Sequence, residues 1–280
     1  MTEETLNLPI RMPECITVFI AGPVASGKTF LIKRLVDRME RSLILDAGAD
    51  YLGDSFTHIW SNPRELANRL SENPHYYRIA YHPNADHFAE EFHWCFCSAW
   101  SVPFPRWFVI EEAHEVCGNG CMHPDVNTIL RYSRHNLLGV IASSQRIADV
   151  DKLLTGMARM VVLFNTAEYR DIEAIRFRWG PEVSKEVENL RPCIYNDATR
   201  ECEQHPECLI YMKGYGYKVI PLGSKVKSTQ IETEEEETLW LEEQEEDQQP
   251  AERQTEYQQS LQENSGSRES QLPEHTSEAS

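Results

Sequence analysis

Short apolar runs alternate with amphipathic stretches from Ile16 to Leu190. The apolar runs predict buried strands at Ile16–Ala21, Ser42–Asp46, Tyr77–Tyr81, Trp107–Glu111, Gly139–Ser143 and Met160–Phe164. Helical spacing of apolar residues predicts helices at Lys28–Glu40, Pro63–Ser71, Ala85–Trp100, Val126–His135, Val150–Ala158, Asp171–Phe177 and Pro181–Leu190. Three further short runs predict antiparallel additions at Cys193–Tyr195, Cys208–Met212 and Gly216–Ile220. This alternation is typical of an α/β fold with a mostly parallel central sheet flanked by helices.

The C-terminal segment has a different composition from the rest of the chain. Gln230–Ser280 contains 16 acidic residues and 2 arginines, and it carries most of the formal net charge of −18. It has too few apolar residues to offset the entropy lost on ordering, so we predict that it is disordered. The chain therefore divides into a folded domain, residues 1–229, and a disordered acidic tail, residues 230–280. Within the tail, Leu239-Trp240-Leu241 is either an isolated apolar island or a docking motif.

Composition excludes several classes of protein. Every apolar run is far shorter than the roughly 20 residues that a membrane-spanning helix needs. Glu3 and Glu4 lie where a signal peptide would be cationic. Eight cysteines in 280 residues are too few for a disulfide scaffold. We therefore expect a cytoplasmic protein without a transmembrane segment of its own.

The strongest local motif is a glycine-rich loop between a predicted strand and a predicted helix. Its sequence, GPVASGKT, fits the phosphate-binding pattern G-x-x-x-x-G-K-[ST]. Lys28 is predicted to reach the β- and γ-phosphates of a nucleotide, and the Thr29 hydroxyl to help hold Mg²⁺. The residues predicted to bind ATP are Gly22, Pro23, Val24, Ala25, Ser26, Gly27, Lys28 and Thr29.

Polar side chains end two of the predicted strands. In WFVIEEAH, Glu111 and Glu112 follow an apolar strand, and Gln145 follows the strand Gly139–Ser143. We assign Glu111 to Mg²⁺ and Glu112 to the attacking water, because the carboxyl edge of a parallel sheet is where such folds bind ligands. The alternative is that both glutamates merely open a helix. Gln145 is either a sensor of the γ-phosphate or a loop amide that caps the next segment.

Taken together, these motifs resemble the HerA/FtsK superfamily of P-loop ATPases, and within it the DNA-packaging ATPases of icosahedral viruses with internal membranes. The resemblance extends from Ile16 to Ile220 and rests on GPVASGKT, WFVIEEAH and RYSRHNLLGVIASSQR. It implies a RecA-like P-loop fold of the additional-strand type. It also implies that Lys28, Glu112 and Gln145 are catalytic and that Thr29 and Glu111 hold Mg²⁺. Glu111 stands where that family has Asp, and its side chain is one methylene longer.

The resemblance also implies an assembly and a set of partners. Members form rings, usually hexameric, in which an arginine from the neighbouring subunit stabilises transition-state charge. The first candidate for that arginine is Arg134, followed by Arg131, Arg159 and Arg146. Double-stranded DNA would pass through the ring, and the acidic tail would meet a capsid or vertex protein. The protein would then act in the host cytoplasm or in the virion.

Several alternatives stay open at the level of sequence. The leading function is an ATP-driven DNA translocase and, more specifically, a viral genome-packaging motor. The alternatives are a small-molecule kinase or signalling NTPase, and an ATP-gated assembly protein that does not hydrolyse nucleotide. Cysteines could bind zinc in two places, although neither has a paired C-x₂-C pattern. The two sets are Cys117, Cys121 and His123, and Cys193, Cys202 and Cys208 with His205.

Overall fold

The computed structural model describes residues 16–196 and 201–222, and these residues form a layered α/β domain. The helices are α1 (Lys28–Val36), α2 (Pro63–Glu72), α3 (Phe88–Ser101), α4 (Pro124–Tyr132), α5 (Lys152–Met157), α6 (Tyr169–Trp179) and α7 (Pro181–Asn189). The strands are β1 (Thr17–Ala21), β2 (Arg41–Leu45), β3 (Thr57–Trp60), β4 (Tyr77–His82), β5 (Arg106–Ile110), β6 (Cys117–Gly118), β7 (Cys121–Met122), β8 (Leu138–Ser144), β9 (Met160–Phe164), β10 (Ile194–Asn196), β11 (Glu201–Gln204), β12 (Glu207–Met212) and β13 (Gly216–Pro221).

Within the described residues, the central sheet has nine strands in the order β13-β12-β9-β1-β8-β5-β2-β4-β3. The seven strands from β9 to β3 are parallel to one another. At one edge, β12 pairs antiparallel with β9, and β13 pairs antiparallel with β12. The parallel strands bring their carboxyl ends to one side of the domain, where ligands bind in open α/β sheets. The predicted α/β fold with a mostly parallel sheet is confirmed.

Both faces of the sheet are buried, which explains why the parallel strands are apolar at nearly every position. Helix α1 covers one face through Leu31, Ile32 and Leu35. The other face is covered by the remaining helices, for example through Phe92 of α3 and Ile175 of α6. The carboxyl edge of the sheet is therefore supported by packed helices on both sides.

Some predicted boundaries differ from the structure. Helix α1 ends at Val36 rather than at Glu40, because the N–H groups of Arg38 and Met39 donate to carbonyls only three residues back and the chain then turns into β2. Strand β3 was not predicted, since only one of its four residues is fully buried. The helix predicted from Ala85 is a 3₁₀ turn followed by α3, which begins at Phe88.

A buried arginine fixes the amino end of β5. Arg106 donates through Nε to the Ala99 carbonyl at 2.7 Å and through Nη2 to the Trp100 carbonyl at 2.8 Å. Its Nη1 donates to the carbonyls of Phe104 and Asn136. Carbonyls at a helix end have no intrahelical partner, and here the guanidinium supplies one. Arg106 thereby joins the end of α3, and the turn that precedes β8, to the start of β5.

The predicted disordered tail, residues 230–280, lies outside the described residues, as does Leu239-Trp240-Leu241. The division of the chain at residue 229 therefore stays a prediction. In the part of the chain that the structure describes, no helix is long and apolar enough to cross a membrane.

Candidate active site

The loop between β1 and α1 has the geometry of an anion-binding site. Gly27, the residue before α1, has φ 106°, in the left-handed region that favours glycine, and α1 has no side-chain cap at this end. The first N–H groups of α1 therefore have no intrahelical partner, and the positive end of the helix dipole points into the loop. The Ser26 hydroxyl is buried and has no hydrogen-bond partner among the described residues. These groups make the loop a candidate site for phosphate oxygens.

Gly22 is required by close packing. A Cβ atom at this position would lie 2.6 Å from Cβ of Phe164 on β9 and 2.8 Å from Oγ of Ser26. Real Cβ atoms do not approach other atoms so closely, so any larger residue would displace the loop or Phe164. The start of the loop is therefore packed directly against the neighbouring strand end.

Lys28 is buried and folds back over the loop. Its Nζ donates to the carbonyls of Gly22 at 2.7 Å and Pro23 at 2.9 Å. Burial lowers the pKa of Lys28, and the carboxylates of Glu112 and Glu111 act in the opposite direction. The ammonium group is thus held at the mouth of the loop by two neutral acceptors.

Glu111 follows β5 directly and is buried. The Tyr51 hydroxyl donates to its Oε1 at 2.7 Å, and the Ser143 hydroxyl donates to its Oε2. Burial raises the pKa of Glu111, and the hydrogen bonds from Ser143 and Tyr51 oppose that change. Each carboxylate oxygen can accept a further hydrogen bond or coordinate a metal ion, because an ionised carboxylate offers about four acceptor sites.

Glu112 has an unusual backbone conformation, with φ 52° and ψ 50°. A non-glycine residue in this left-handed region costs roughly 1–2 kcal/mol, and such residues cluster at functional sites. Its Oε1 accepts a hydrogen bond of 2.6 Å from Nε2 of Gln145, and its Oε2 lies 3.3 Å from Nδ1 of His114. Glu112 caps a 3₁₀ turn, not an α-helix. The structure therefore brings together two side chains that the sequence places at the ends of separate strands.

Of the arginines considered for catalysis, Arg134 and Arg159 lie apart from this cluster, in the turns before β8 and β9, whereas Arg146 directly follows Gln145. Arg134 is exposed in the turn before β8, at the amino ends of the parallel strands, whereas the cluster lies at their carboxyl ends. Nε of Arg131 donates to Oδ1 of Asn127 at 2.8 Å. Arg146 pairs within its own chain, at 3.0 Å from Asp171 and 3.2 Å from Glu168.

Sequence reasoning missed the residues that support Glu111. Tyr51 lies in a loop, and its backbone N–H donates to Asp46 at 3.2 Å, as does the N–H of Asp50 at 2.9 Å. Asp46 ends the apolar run of β2, and Ser143 ends that of β8. The signal available in the sequence for Asp46 and Ser143 was that each is a polar residue at the carboxyl end of a strand that neighbours β5. Thr29 lies on the first turn of α1 and is half-buried.

The zinc alternative finds no support in the part of the chain that the structure describes. No group of three or more His, Cys, Asp or Glu side chains there is arranged to hold a metal ion. Cys117 is buried and Cys121 is exposed, and the side chain of Cys202 lies outside the described residues.

No protein-family model matches the sequence, and no curated protein matches it. Among solved structures, the chain is similar to the genome packaging NTPase B204 from Sulfolobus turreted icosahedral virus 2 in complex with AMPPCP. The TM-score is 0.58 at 19% identity, over 74% of this chain and 97% of that one. B204, the DNA-packaging ATPase from Sulfolobus Turreted Icosahedral Virus, is similar with a TM-score of 0.55 at 18% identity, over 74% of this chain and 98% of that one. The chain has the fold of these packaging ATPases.

A further solved structure has a similar fold. VirB4 of Thermoanaerobacter pseudethanolicus is similar with a TM-score of 0.52 at 12% identity, over 76% of this chain and 91% of that chain. In each case the similarity covers nearly the whole of the other protein, so the described domain corresponds to a complete unit of this fold. The likeness to packaging ATPases that the sequence motifs indicated is confirmed at the level of fold.

Proposed function

We propose that this chain is an ATP-hydrolysing DNA translocase that acts as a viral genome-packaging motor. The observation that supports this most strongly is the meeting of Lys28, Glu112 and Gln145 at the carboxyl edge of a sheet with the packaging-ATPase fold. A glycine-rich loop alone would fit many nucleotide-binding proteins. The carboxylate and amide beside it supply what a hydrolase needs in addition.

The first role of the site is to bind the phosphates of ATP. Backbone N–H groups at the start of α1, together with the Ser26 hydroxyl, donate hydrogen bonds to the phosphate oxygens. Lys28 exchanges its bonds to the Gly22 and Pro23 carbonyls for bonds to the β- and γ-phosphates, which add the attraction between opposite charges. Thr29 and Glu111 offer the oxygen ligands that suit Mg²⁺, which when bound neutralises charge developing on the phosphate oxygens.

The second role is to activate water. Glu112 orients the attacking water and accepts its proton, a contribution of about 10²–10⁴-fold in rate for a well-placed base. Gln145, which holds Oε1 of Glu112, contacts the γ-phosphate or the water when ATP is present. A change of partner at Gln145 then reports the state of the nucleotide to the segment that follows β8.

The third part of the proposal concerns assembly. The subunits form a ring, most simply a hexamer, in which Arg134 of one subunit reaches the nucleotide of its neighbour. Its position at the amino edge of the sheet, away from its own site, is consistent with action in trans. The ring encloses double-stranded DNA, and the acidic tail (residues 230–280) meets a capsid or vertex protein, in the host cytoplasm or the virion.

The proposal is tested by measuring ATP hydrolysis with and without double-stranded DNA. We compare the wild type, Glu112→Gln and the matched control Glu115→Gln, which makes the same change at a more exposed carboxylate three residues away. We expect DNA to stimulate the wild type and the control. We expect Glu112→Gln to lose at least 100-fold in rate (about the lower bound for a general base) while it still binds a non-hydrolysable ATP analogue.

Other results would indicate other functions. Turnover that is independent of DNA but requires a small phosphoryl acceptor would indicate a kinase or signalling NTPase. Absence of turnover from folded, ring-forming wild type would indicate an assembly protein gated by ATP. Equal activity of Glu112→Gln and Glu115→Gln would remove Glu112 from the mechanism.

A further inference from the structure

The hairpin at the antiparallel edge of the sheet ends in a basic and aromatic turn. Its sequence is Lys-Gly-Tyr-Gly-Tyr-Lys, residues Lys213–Lys218, and we call it the KGYGYK turn. Tyr215 is 54% exposed and Tyr217 is 43% exposed, and both lysines are exposed as well. The turn therefore presents two cationic and two aromatic side chains to solvent.

The charge of this hairpin differs from that of the chain. The chain has 45 acidic residues and a net charge of −18, yet the hairpin Glu207–Pro221 contains two lysines and a single carboxylate, Glu207, which pairs with Arg191. Lys213 donates only a long hydrogen bond, 3.4 Å, to the Gly156 carbonyl. Neither Lys213 nor Lys218 forms an ion pair within the described residues. Their charge is therefore available to an anionic partner.

The turn is attached firmly to the sheet that carries the candidate active site. Strand β12 pairs with β9 from Cys208 to Met212, and the N–H of Lys213 donates to the Arg159 carbonyl at 3.2 Å. The N–H of Tyr215 donates back to the Met212 carbonyl at 3.0 Å, which closes the turn. Strand β9 ends at Phe164, which packs against Gly22 of the phosphate-binding loop. A force that acts on the turn is therefore transmitted to β9, which also contacts the phosphate-binding loop.

The two lysines lie close together at the same end of the hairpin. Lys218 pairs across the hairpin with Ile210, and Lys213 lies one residue beyond Met212. The two lysines are therefore three residues apart along the ribbon, roughly 10 Å at about 3.3 Å per residue.

We propose that the KGYGYK turn contacts the phosphate backbone of double-stranded DNA, with Lys213 and Lys218 as its cationic contacts; this inference rests on the proposed function. Contacts to phosphates carry no sequence information, which suits a motor that must move along any sequence. The Gly118–Gly120 loop, whose two glycines would suit a flexible DNA-contacting loop, has no Lys or Arg. It is also tied by hydrogen bonds from Asn119 to the carbonyls of Ala148 and Asp149.

The test is equilibrium binding of duplex DNA to the full chain in a non-hydrolysable ATP analogue, repeated over a range of salt concentrations. The variant is Lys213→Gln/Lys218→Gln. The matched control is Lys152→Gln/Lys185→Gln, which removes the same charge from exposed lysines on α5 and α7. Each phosphate contact contributes about 0.9 to the slope of log affinity against log salt concentration. The variant lacks two such contacts, so it should lose about 2 from this slope and bind DNA roughly 60- to 100-fold more weakly at 0.1 M salt.

The readouts separate this inference from the proposed function. We expect the control to bind DNA like the wild type and both double variants to keep the DNA-independent ATPase rate. If the variant matches the control in affinity and slope while wild type binds DNA and is stimulated by it, the turn is not a DNA contact and the motor function stands. If wild type neither binds DNA nor is stimulated by it, both proposals are overturned.

Discussion

The hydrogen bond from Tyr51 to Glu111 predicts a specific effect of Tyr51→Phe on the pH dependence of hydrolysis. Burial raises the pKa of Tyr51 well above its ordinary value, so the phenol stays protonated and donates to Oε1 of Glu111 at 2.7 Å. A hydrogen bond to a charged group contributes about 1.5–3 kcal/mol. At about 1.4 kcal/mol per factor of ten, its loss shifts the ionisation equilibrium of Glu111 toward the protonated form by roughly 10- to 100-fold.

The direction of the pH effect follows from the pKa of Glu111. Burial already raises that pKa, and removal of a donor raises it further. Because the role proposed for Glu111, binding Mg²⁺, needs the ionised carboxylate, the acid limb of kcat/KM for ATP should move to higher pH in Tyr51→Phe. Ionising a carboxyl whose pKa is raised in the fold costs stability, and this cost grows as pH rises. The melting temperature of Tyr51→Phe should therefore fall furthest below that of wild type at high pH and approach it on acidification.

The control for this experiment is Tyr77→Phe. Tyr77 is also buried, but its hydroxyl has no hydrogen-bond partner among the described residues. Removal of that hydroxyl should change neither the pH profile nor the acid dependence of the melting temperature. An acid limb in Tyr51→Phe that overlays those of wild type and Tyr77→Phe would refute the role given to this hydrogen bond.

Two further predictions concern the loop and the tail. Gly22→Ala places a Cβ 2.6 Å from Cβ of Phe164, so it should lower stability by about 1–3 kcal/mol and weaken binding of an ATP analogue. In Gly156→Ala, on α5, the added Cβ would have no other atom within 4 Å, so this control should raise stability by about 0.4–1 kcal/mol. Calorimetry checks both variants. Equal stabilities of Gly22→Ala and Gly156→Ala would contradict the packing argument. Deletion of residues 230–280 should leave thermal unfolding and ATP hydrolysis unchanged, and a loss of cooperative unfolding would show that the tail is part of the fold.

Sequence reasoning located the strands and the phosphate loop because both depend on local patterns. Strands buried on two faces are apolar throughout, and the spacing of Gly22, Gly27 and Lys28 is set by the geometry of the loop. Strand β3 escaped detection because an edge strand buries few of its side chains. The early end of α1 depends on where β2 lies, which no local pattern records.

The support of Glu111 could not be predicted for a different reason. Tyr51 is 60 residues from Glu111 in sequence, and Ser143 is 32 residues away. Their meeting depends on the order of strands in the sheet, in which β5 lies between β2 and β8. The carboxyl-edge rule predicts that Glu112 and Gln145 are neighbours, but it does not say which hydroxyl will reach which oxygen. Such pairings require the folded arrangement.

The position of Arg106 has a consequence for communication around a ring. The carboxyl end of β5 leads into Glu111 and Glu112, while its amino end is joined through Arg106 to the turn that carries Arg134. One buried strand thus lies between Glu111 and Glu112 and the turn that carries Arg134. If the subunits assemble as proposed, this strand would connect the nucleotide site of one subunit to the site that its Arg134 reaches in the neighbour.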